Sequence, residues 1–397
     1  MKFNFNKINV LIDIILSTLN LRAAVTSLSG IFSAVDQHIQ GFNISVIGML
    51  PLLSFAIFGL ITPKISKKIG YECTLLISMM CVGLGLLSRV FMPTFIGFCI
   101  SSIVSLSGMA FGNVLMPTMI KKYFGNHTGA ITSLYSVLLA ISAGIPSIIS
   151  SNTVYSFGWQ FSLGIWSLIG FLAAIPWLFQ LFHLRNYDST GTEARINKSN
   201  SISNRSISSI NSKITWAVAL LFGVGGMLPM YTVINWLPSY LKSVGFETTT
   251  IGTILFLYNT LGIFHSFLVP LFLDKMKHPY ILVIFAVFLQ ISTFLGFWFI
   301  PRLSLLWAII AAPGLLTVPA AFQLFNMHSR TPEGTASISS MAQFIGYLLA
   351  ALGPLIFGWL KRISGVYSYS FLFLITLSIL TLFFGYIAMK PGYIEDN

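Results

Sequence analysis

Thr18-Leu19-Asn20-Leu21-Arg22-Ala23-Ala24-Val25-Thr26-Ser27 sits in the middle of an apolar run from about Val10 to Val35. A run of that length can cross a bilayer as a helix. Arg22 then lies near the membrane midplane, where a cation costs at least ~2.5–3.5 kcal/mol on insertion scales. A 3.6-residue repeat puts Thr18, Arg22, Thr26, Ser29 and Ser33 on one stripe, which cannot face lipid. Two readings stand: Arg22 lines a substrate path, or it clamps carbonyls and side chains of a neighbouring helix. Asp13 is the one acid inside a span of the N-terminal half. On a continuous helix it is turned from Arg22 by ~180° and displaced by ~13 Å, so it is not read as a partner. A planar fork of donors suits a small anion, a nitro group or a carboxylate.

Composition extends this reading to the whole chain. The 397 residues are 55% hydrophobic and 8% charged, with a mean hydropathy of +0.85. Soluble domains carry about 25% charged residues, so the chain reads as an all-α polytopic membrane protein. Polar and Pro/Gly breaks separate twelve apolar runs, near 8–35, 45–63, 72–91, 94–119, 128–150, 160–182, 214–240, 249–273, 279–300, 304–327, 335–360 and 367–389. The net charge of +12 is dispersed over short loops, with no basic domain to hold a nucleic acid, and it reports topology instead. With the N-terminus inside, sixteen of the 22 basic residues fall on the cytoplasmic side. Arg89, Lys242, Arg302, Lys361 and Arg362 fall outside, and Arg22 lies within a span. That bias predicts an even number of spans with both termini cytoplasmic. The N-terminal run is too long for a signal-peptide core and reads as a retained first span. Cys73, Cys81 and Cys99 lack metal-ligand spacing and read as small core residues.

The polar, Ser/Asn-rich stretch 186–212 reads as a cytoplasmic linker between an N-terminal six-helix bundle (1–185) and a C-terminal one (213–397). The halves echo each other. Thr128-Gly-Ala-Ile-Thr-Ser-Leu opens the fifth run, and Thr335-Ala-Ser-Ile-Ser-Ser-Met opens the eleventh, 207 residues further on. Pro146 and Pro354 close the two segments at nearly the same offset. The echo and the six-plus-six count favour two related bundles around a central site.

Several stretches carry a family resemblance. They are Asn20 to Ser27, then Gly112-Asn113-Val114-Leu115-Met116-Pro117 with Ile120-Lys121-Lys122, Ser133-Leu134-Tyr135, Asn235-Trp236-Leu237-Pro238, and the run from Ala342 to Pro354. The layout resembles the major facilitator superfamily, and these stretches resemble its cyanate/nitroimidazole transporter branch (CynX/NimT type). The resemblance implies a twelve-helix fold of two pseudo-symmetric six-helix bundles in a bacterial cytoplasmic membrane. It also implies alternating access and a small planar, anionic or polarised substrate. The chain departs from the branch at Ala23, where proline is usual, and the substitution is read as straightening the first span. The Pro63-to-Gly70 loop lacks the superfamily's acid, which speaks against a gating role for an acid there.

Arg22, Asn20, Thr26, Asn113, Tyr135, Tyr231, Asn235, Asn326, Gln343 and Tyr347 are the candidate substrate-binding residues. Asn113 ends a small-residue stripe, Ser101, Ser105, Gly108 and Gly112, that reads as helix packing. Tyr231 and Asn235 lie one turn apart between Pro229 and Pro238, where freed backbone groups need cover by protein or water. Tyr135, Gln343 and Tyr347 fall in family-like segments, and Asn326 adds a polar group from the tenth span. The partners implied are a small-molecule substrate and the lipid bilayer, with a coupling proton or ion left open, no nucleic acid, no cofactor and a monomeric chain. No nucleotide-binding loop or catalytic cluster is present in the sequence, so the chain reads as a secondary transporter and not an enzyme. Export of drugs or amphipathic compounds, and a transporter-like membrane sensor, are the alternative readings.

Overall fold

The computed structural model describes residues 5–396, apart from positions 30, 40, 42, 43 and 93 and the stretch 189–211. Most of the expected linker 186–212 therefore lies outside the described residues. Among the described residues no β-strand is formed, and nine helical stretches are long and apolar enough to cross a membrane. One of these, Thr128–Phe182, has 55 residues. As a continuous helix it would run ~80 Å, against a hydrocarbon core of ~30 Å. Gly158 breaks it, with φ 80° and ψ 168°, a conformation that a Cβ would oppose. The stretch is thus two crossings. Two more crossings are each built from a pair of shorter helices, Thr248–Thr260 with Gly262–Phe272, and Ser304–Gly314 with Thr317–Met327. The crossings total twelve, as the apolar runs predicted.

The chain forms two compact units. The first comprises Met1–Gly125, Ile141–Ser209 and Thr331–Ser340; the second comprises Asn126–Ala140, Ile210–Arg330 and Met341–Asn397. The short insertions are the echoed segments that open the fifth and eleventh spans. Their hydroxyls explain the echo. In the first unit Ser340 Oγ donates to the Gly59 carbonyl at 2.7 Å. Pro63 has no N–H to offer that carbonyl, so the serine replaces the missing helical donor. In the second unit Ser133 Oγ donates to the Phe267 carbonyl, three residues before Pro270. Ser133 and Ser340 stand at the same separation as Pro63 and Pro270.

The second span runs further than the sequence predicted. Its helix continues through Pro51 and Pro63 to Ile69, where Gly70, at φ 87°, turns the chain into the third span. A proline inside a buried span is tolerated when neighbouring groups satisfy the carbonyls it frees. Here Ser340 does so, and Thr62 Oγ1 donates to the Phe58 carbonyl at 2.7 Å.

Within the first unit, the third span (Tyr71–Phe91) and fourth span (Phe95–Phe124) approach closely along the small-residue stripe read from sequence. A Cβ at Gly108 would lie 2.3 Å from the Ser78 carbonyl oxygen, and one at Gly85 would lie 2.4 Å from the Ser105 nitrogen. Ser78 Oγ donates to the Gly108 carbonyl at 2.6 Å across the same contact. At the far end of the third span, Arg89 departs from expectation. Counted among the bases of the outer side, it is nonetheless not a solvated base, because it is only 1% exposed. Nη1 donates to the Ala24 carbonyl at 2.9 Å, and the guanidinium lies 5.2 Å from the Phe98 ring centroid. The aliphatic stem and the aromatic face let a cation at a span end turn inward.

Gly108→Val is expected to destabilise the protein by ~1–3 kcal/mol, because the obstacle is a backbone carbonyl and not a flexible side chain. Thermal unfolding of the purified variant in detergent checks this. A wild-type midpoint would contradict the close approach.

Candidate functional site

The first span is not one helix. Phe5–Thr18 stops, Leu19 to Arg22 form a turn, and Ala23–Ser29 resumes. Asn20 N donates to the Ser17 carbonyl at 3.0 Å and Leu21 N to the Thr18 carbonyl at 3.1 Å, the tighter three-residue closure. The straight helix predicted from Ala23 is therefore not formed. The break also ends the argument from a continuous stripe, since register does not carry from Asp13 or Thr18 through to Arg22. Thr18 and Thr26 turn their hydroxyls onto their own backbone, at Ile14 (2.6 Å) and Arg22 (3.1 Å).

Around this break the first unit arranges its candidate residues. Arg22 is half-buried, with its guanidinium carbon 5.6 Å from the Phe55 ring centroid, within cation–π reach. Asn20 is fully buried, and among the described residues neither of its amide atoms has a hydrogen-bond partner. Two glycines make room for the turn. A Cβ at Gly112 would lie 2.4 Å from Leu21 Cδ2, and one at Gly170 would lie 3.0 Å from Asn20 Nδ2. The break thus sits against the fourth span at the residue beside Asn113, which is itself buried. Asp13 is buried in the preceding helix, and its Oδ2 has no hydrogen-bond partner among the described residues.

The second unit gathers another group. Tyr135 is fully buried and meets Phe322 edge to face at 5.5 Å. Tyr347, also buried, meets Phe222 at 5.9 Å, and Phe222 contacts Phe322 at 5.7 Å. Edge-to-face pairs of this kind hold rings in fixed orientations. Asn326 Nδ2 reaches Thr132 Oγ1 at 3.5 Å, and Gln343 is buried one turn before Tyr347. Tyr231 and Asn235 lie further along the seventh span. Tyr231 is half-buried; Asn235 is exposed and turns Nδ2 onto the Tyr231 carbonyl at 2.7 Å.

The residue that sequence reasoning missed is Gln290. Between Lys213–Phe222 and Leu228–Ser243, the seventh span widens into a π-turn, Gly223–Met227. Such a turn leaves carbonyls without their usual partners. Gln290 Nε2 donates to Gly225 O at 2.7 Å and to Gly314 O at 2.6 Å, the latter where the tenth span breaks. Thr317 Oγ1 adds a second donor to Gly225 O at 2.9 Å, and Ser378 Oγ donates to Gln290 Oε1 at 3.1 Å. A lone glutamine in the ninth apolar run, facing the Gly223-Val224-Gly225-Gly226 run, was the available signal. The apolar groove lined by Phe288, Ser292, Gly296 and Trp307 contains none of the candidate polar residues.

With these discontinuous spans described, comparison with known proteins is decisive. Residues 14–354 match the family model described as Major Facilitator Superfamily. The chain belongs to that superfamily. As a Major Facilitator Superfamily protein it is a transporter, not an enzyme, and its crossings make it a multi-pass membrane protein. It is 30% identical over 354 residues to the uncharacterized transporter YycB of Bacillus subtilis (strain 168), covering 87% of this chain and 85% of that one. It is 25% identical to the 2-nitroimidazole transporter of Escherichia coli (strain K12), covering 98% of each chain. It is 24% identical to the cyanate transport protein CynX of the same organism, covering 98% of this chain and 100% of that one. The branch resemblance read from the motifs agrees with these relatives. The fold is similar to that of the proton:xylose symporter XylE, with a TM-score of 0.75 at 13% identity and 98% of each chain covered.

Gln290→Leu removes the donor that caps two broken spans and is expected to destabilise this superfamily member by ~1–3 kcal/mol, the cost of an orphaned buried carbonyl. The unfolding midpoint of the purified variant measures it. An unchanged midpoint would mean that the π-turn does not depend on Gln290.

Proposed function

We propose that this transporter moves a small planar, anionic or polarised solute of the cyanate, nitrate or nitroimidazole kind by alternating access. In this mode one site is exposed to each side of the membrane in turn. Arg22 is the electrostatic anchor. The observation that carries the reading is its half-buried guanidinium at the break of the first span, over the face of Phe55. A guanidinium offers paired, coplanar donors, which match the two oxygens of a carboxylate or nitro group, and a positive charge that attracts an anion such as cyanate. Asn20 and Asn113 supply neutral donors and acceptors near the break, and Thr26 follows it. Tyr135, Tyr231, Asn235, Asn326, Gln343 and Tyr347 are the polar groups contributed by the fifth, seventh, tenth and eleventh spans.

Two further observations support the assignment. Interrupted spans in corresponding positions of two related halves point to the binding site in transporters of this kind. Here the first and seventh spans, each opening a half, are the interrupted pair. Two relatives, a 2-nitroimidazole transporter and a cyanate transport protein, are named for small solutes of this kind. We assign 1–185 and 213–397 to the two six-helix bundles and 186–212 to the cytoplasmic linker. We put both termini in the cytoplasm on the strength of the charge bias, and the protein in a bacterial cytoplasmic membrane on the strength of the family resemblance.

Uptake of labelled cyanate and 2-nitroimidazole by cells expressing the protein tests this. Arg22→Gln is expected to lower the protein-dependent flux at least ~tenfold at normal membrane abundance, and Arg22→Lys to restore only part of it. Retained flux in Arg22→Gln would remove Arg22 from the site. Absence of flux for either solute in the wild type would remove the substrate class.

A further inference from the structure

The last residues of the chain are tied to the loop between the tenth and eleventh spans by a histidine. His328 caps the helix Thr317–Met327 and is 3% exposed. Its Nδ1 lies 2.8 Å from the Gly392 carbonyl oxygen, and its Nε2 lies 2.7 Å from the Ala388 carbonyl oxygen. Both neighbours are backbone carbonyls, which accept hydrogen bonds and cannot donate them. A neutral imidazole carries one N–H, so it could satisfy only one of the two and would set a nitrogen lone pair against the other oxygen. The arrangement is complete only when both ring nitrogens carry hydrogen.

From this geometry we propose that His328 is a proton-binding site, and that the proton it holds docks the C-terminal tail onto the span 10–11 loop. Ala388 is the last residue of the final span, so one arm of the imidazolium caps that helix, where carbonyls point outward and a cation is favoured. The other arm holds the tail itself. The tail answers with a backbone bond, Ile394 N to the His328 carbonyl at 2.9 Å, and Ile394 is buried.

The other charges nearby do not supply the same function. Arg330, on the histidine's own loop, takes both oxygens of Asp396 at 2.6 and 3.1 Å, and its backbone N–H donates to Glu395 Oε1 at 2.9 Å. Its guanidinium also stacks 4.3 Å from the Tyr393 ring centroid. At the end of the final span Lys390 lies over Tyr386. Lys213 opens the seventh span beside Ile214, which lies against Gly392. Among the described residues, the tail carboxylates are thus engaged by Arg330, while the ring nitrogens of His328 meet backbone carbonyls. With both ring nitrogens carrying hydrogen the latch is complete; with one of those protons removed, one of its two arms is lost.

Amide hydrogen exchange of the full-length protein in detergent or nanodiscs tests this at about pH 5.5 and about pH 8.5, either side of the histidine range. Rates are corrected for the intrinsic pH dependence of exchange. Protection of the 389–396 amides is expected to fall by about tenfold at the higher pH, the effect of one lost charge-assisted hydrogen bond. In His328→Gln the pH step should vanish. In Arg330→Gln, protection should fall at both pH values with the step retained. Equal wild-type protection at the two pH values would overturn the proposal without any variant. So would a step that survives in His328→Gln, or one that disappears in Arg330→Gln, which would move the proton to the Arg330–Asp396 pair.

Discussion

A carbonyl that loses its helical partner inside a hydrocarbon layer finds no water there, so the protein must supply a donor. This constraint organises the molecule wherever its spans are broken. Pro63 frees the Gly59 carbonyl and Ser340 occupies it. The π-turn of the seventh span and the break of the tenth expose Gly225 and Gly314, and Gln290 reaches both. Arg89 adds a donor to a carbonyl inside a helix, that of Ala24, just after the break of the first span. Without these side chains the spans would have to be continuous helices, and continuous helices would have no irregular backbone to present to a solute.

The second requirement is close approach. A break brings a turn into a space that a straight helix would leave empty, and the facing helix must recede. Gly112 and Gly170 do so for Leu21 and Asn20, while Gly85 and Gly108 bring the third and fourth spans together. Glycines therefore sit where they give contact, although each also weakens its own helix. The result is a close-packed support around the break that carries the half-buried Arg22. On the proposed reading, partial burial strengthens its charge while the fork geometry limits what fits.

Much of this was legible beforehand. Apolar runs marked the twelve crossings, since a run's length in a bilayer has few other readings. The Thr128 and Thr335 echo pointed to related halves, and the structure adds its physical content in Ser133 and Ser340. What escaped was local. Ala23 in place of a proline suggested a straight first span, but the chain turns at Asn20-Leu21-Arg22, where Leu21 lies against Gly112, a tertiary contact that no local propensity encodes. That Arg89 would be buried was not readable, because its partner carbonyl lies 65 positions away. Gln290 stood out only as a lone glutamine in an apolar run, and its role was not readable, because its acceptors are carbonyls, which every residue has. The dispersed histidines, likewise, offered no sequence clue that His328 faces two of them.

The central claim is that the broken first span presents Arg22 to a planar solute. Thermal unfolding of the purified transporter, titrated with cyanate and with 2-nitroimidazole, tests it most directly. A ligand that binds only the folded state raises the midpoint in a saturable way. The account expects such a rise for at least one of these solutes, none for a neutral sugar such as xylose, and its loss in Arg22→Gln. No shift with either solute, or an equal shift with and without the guanidinium, would contradict it.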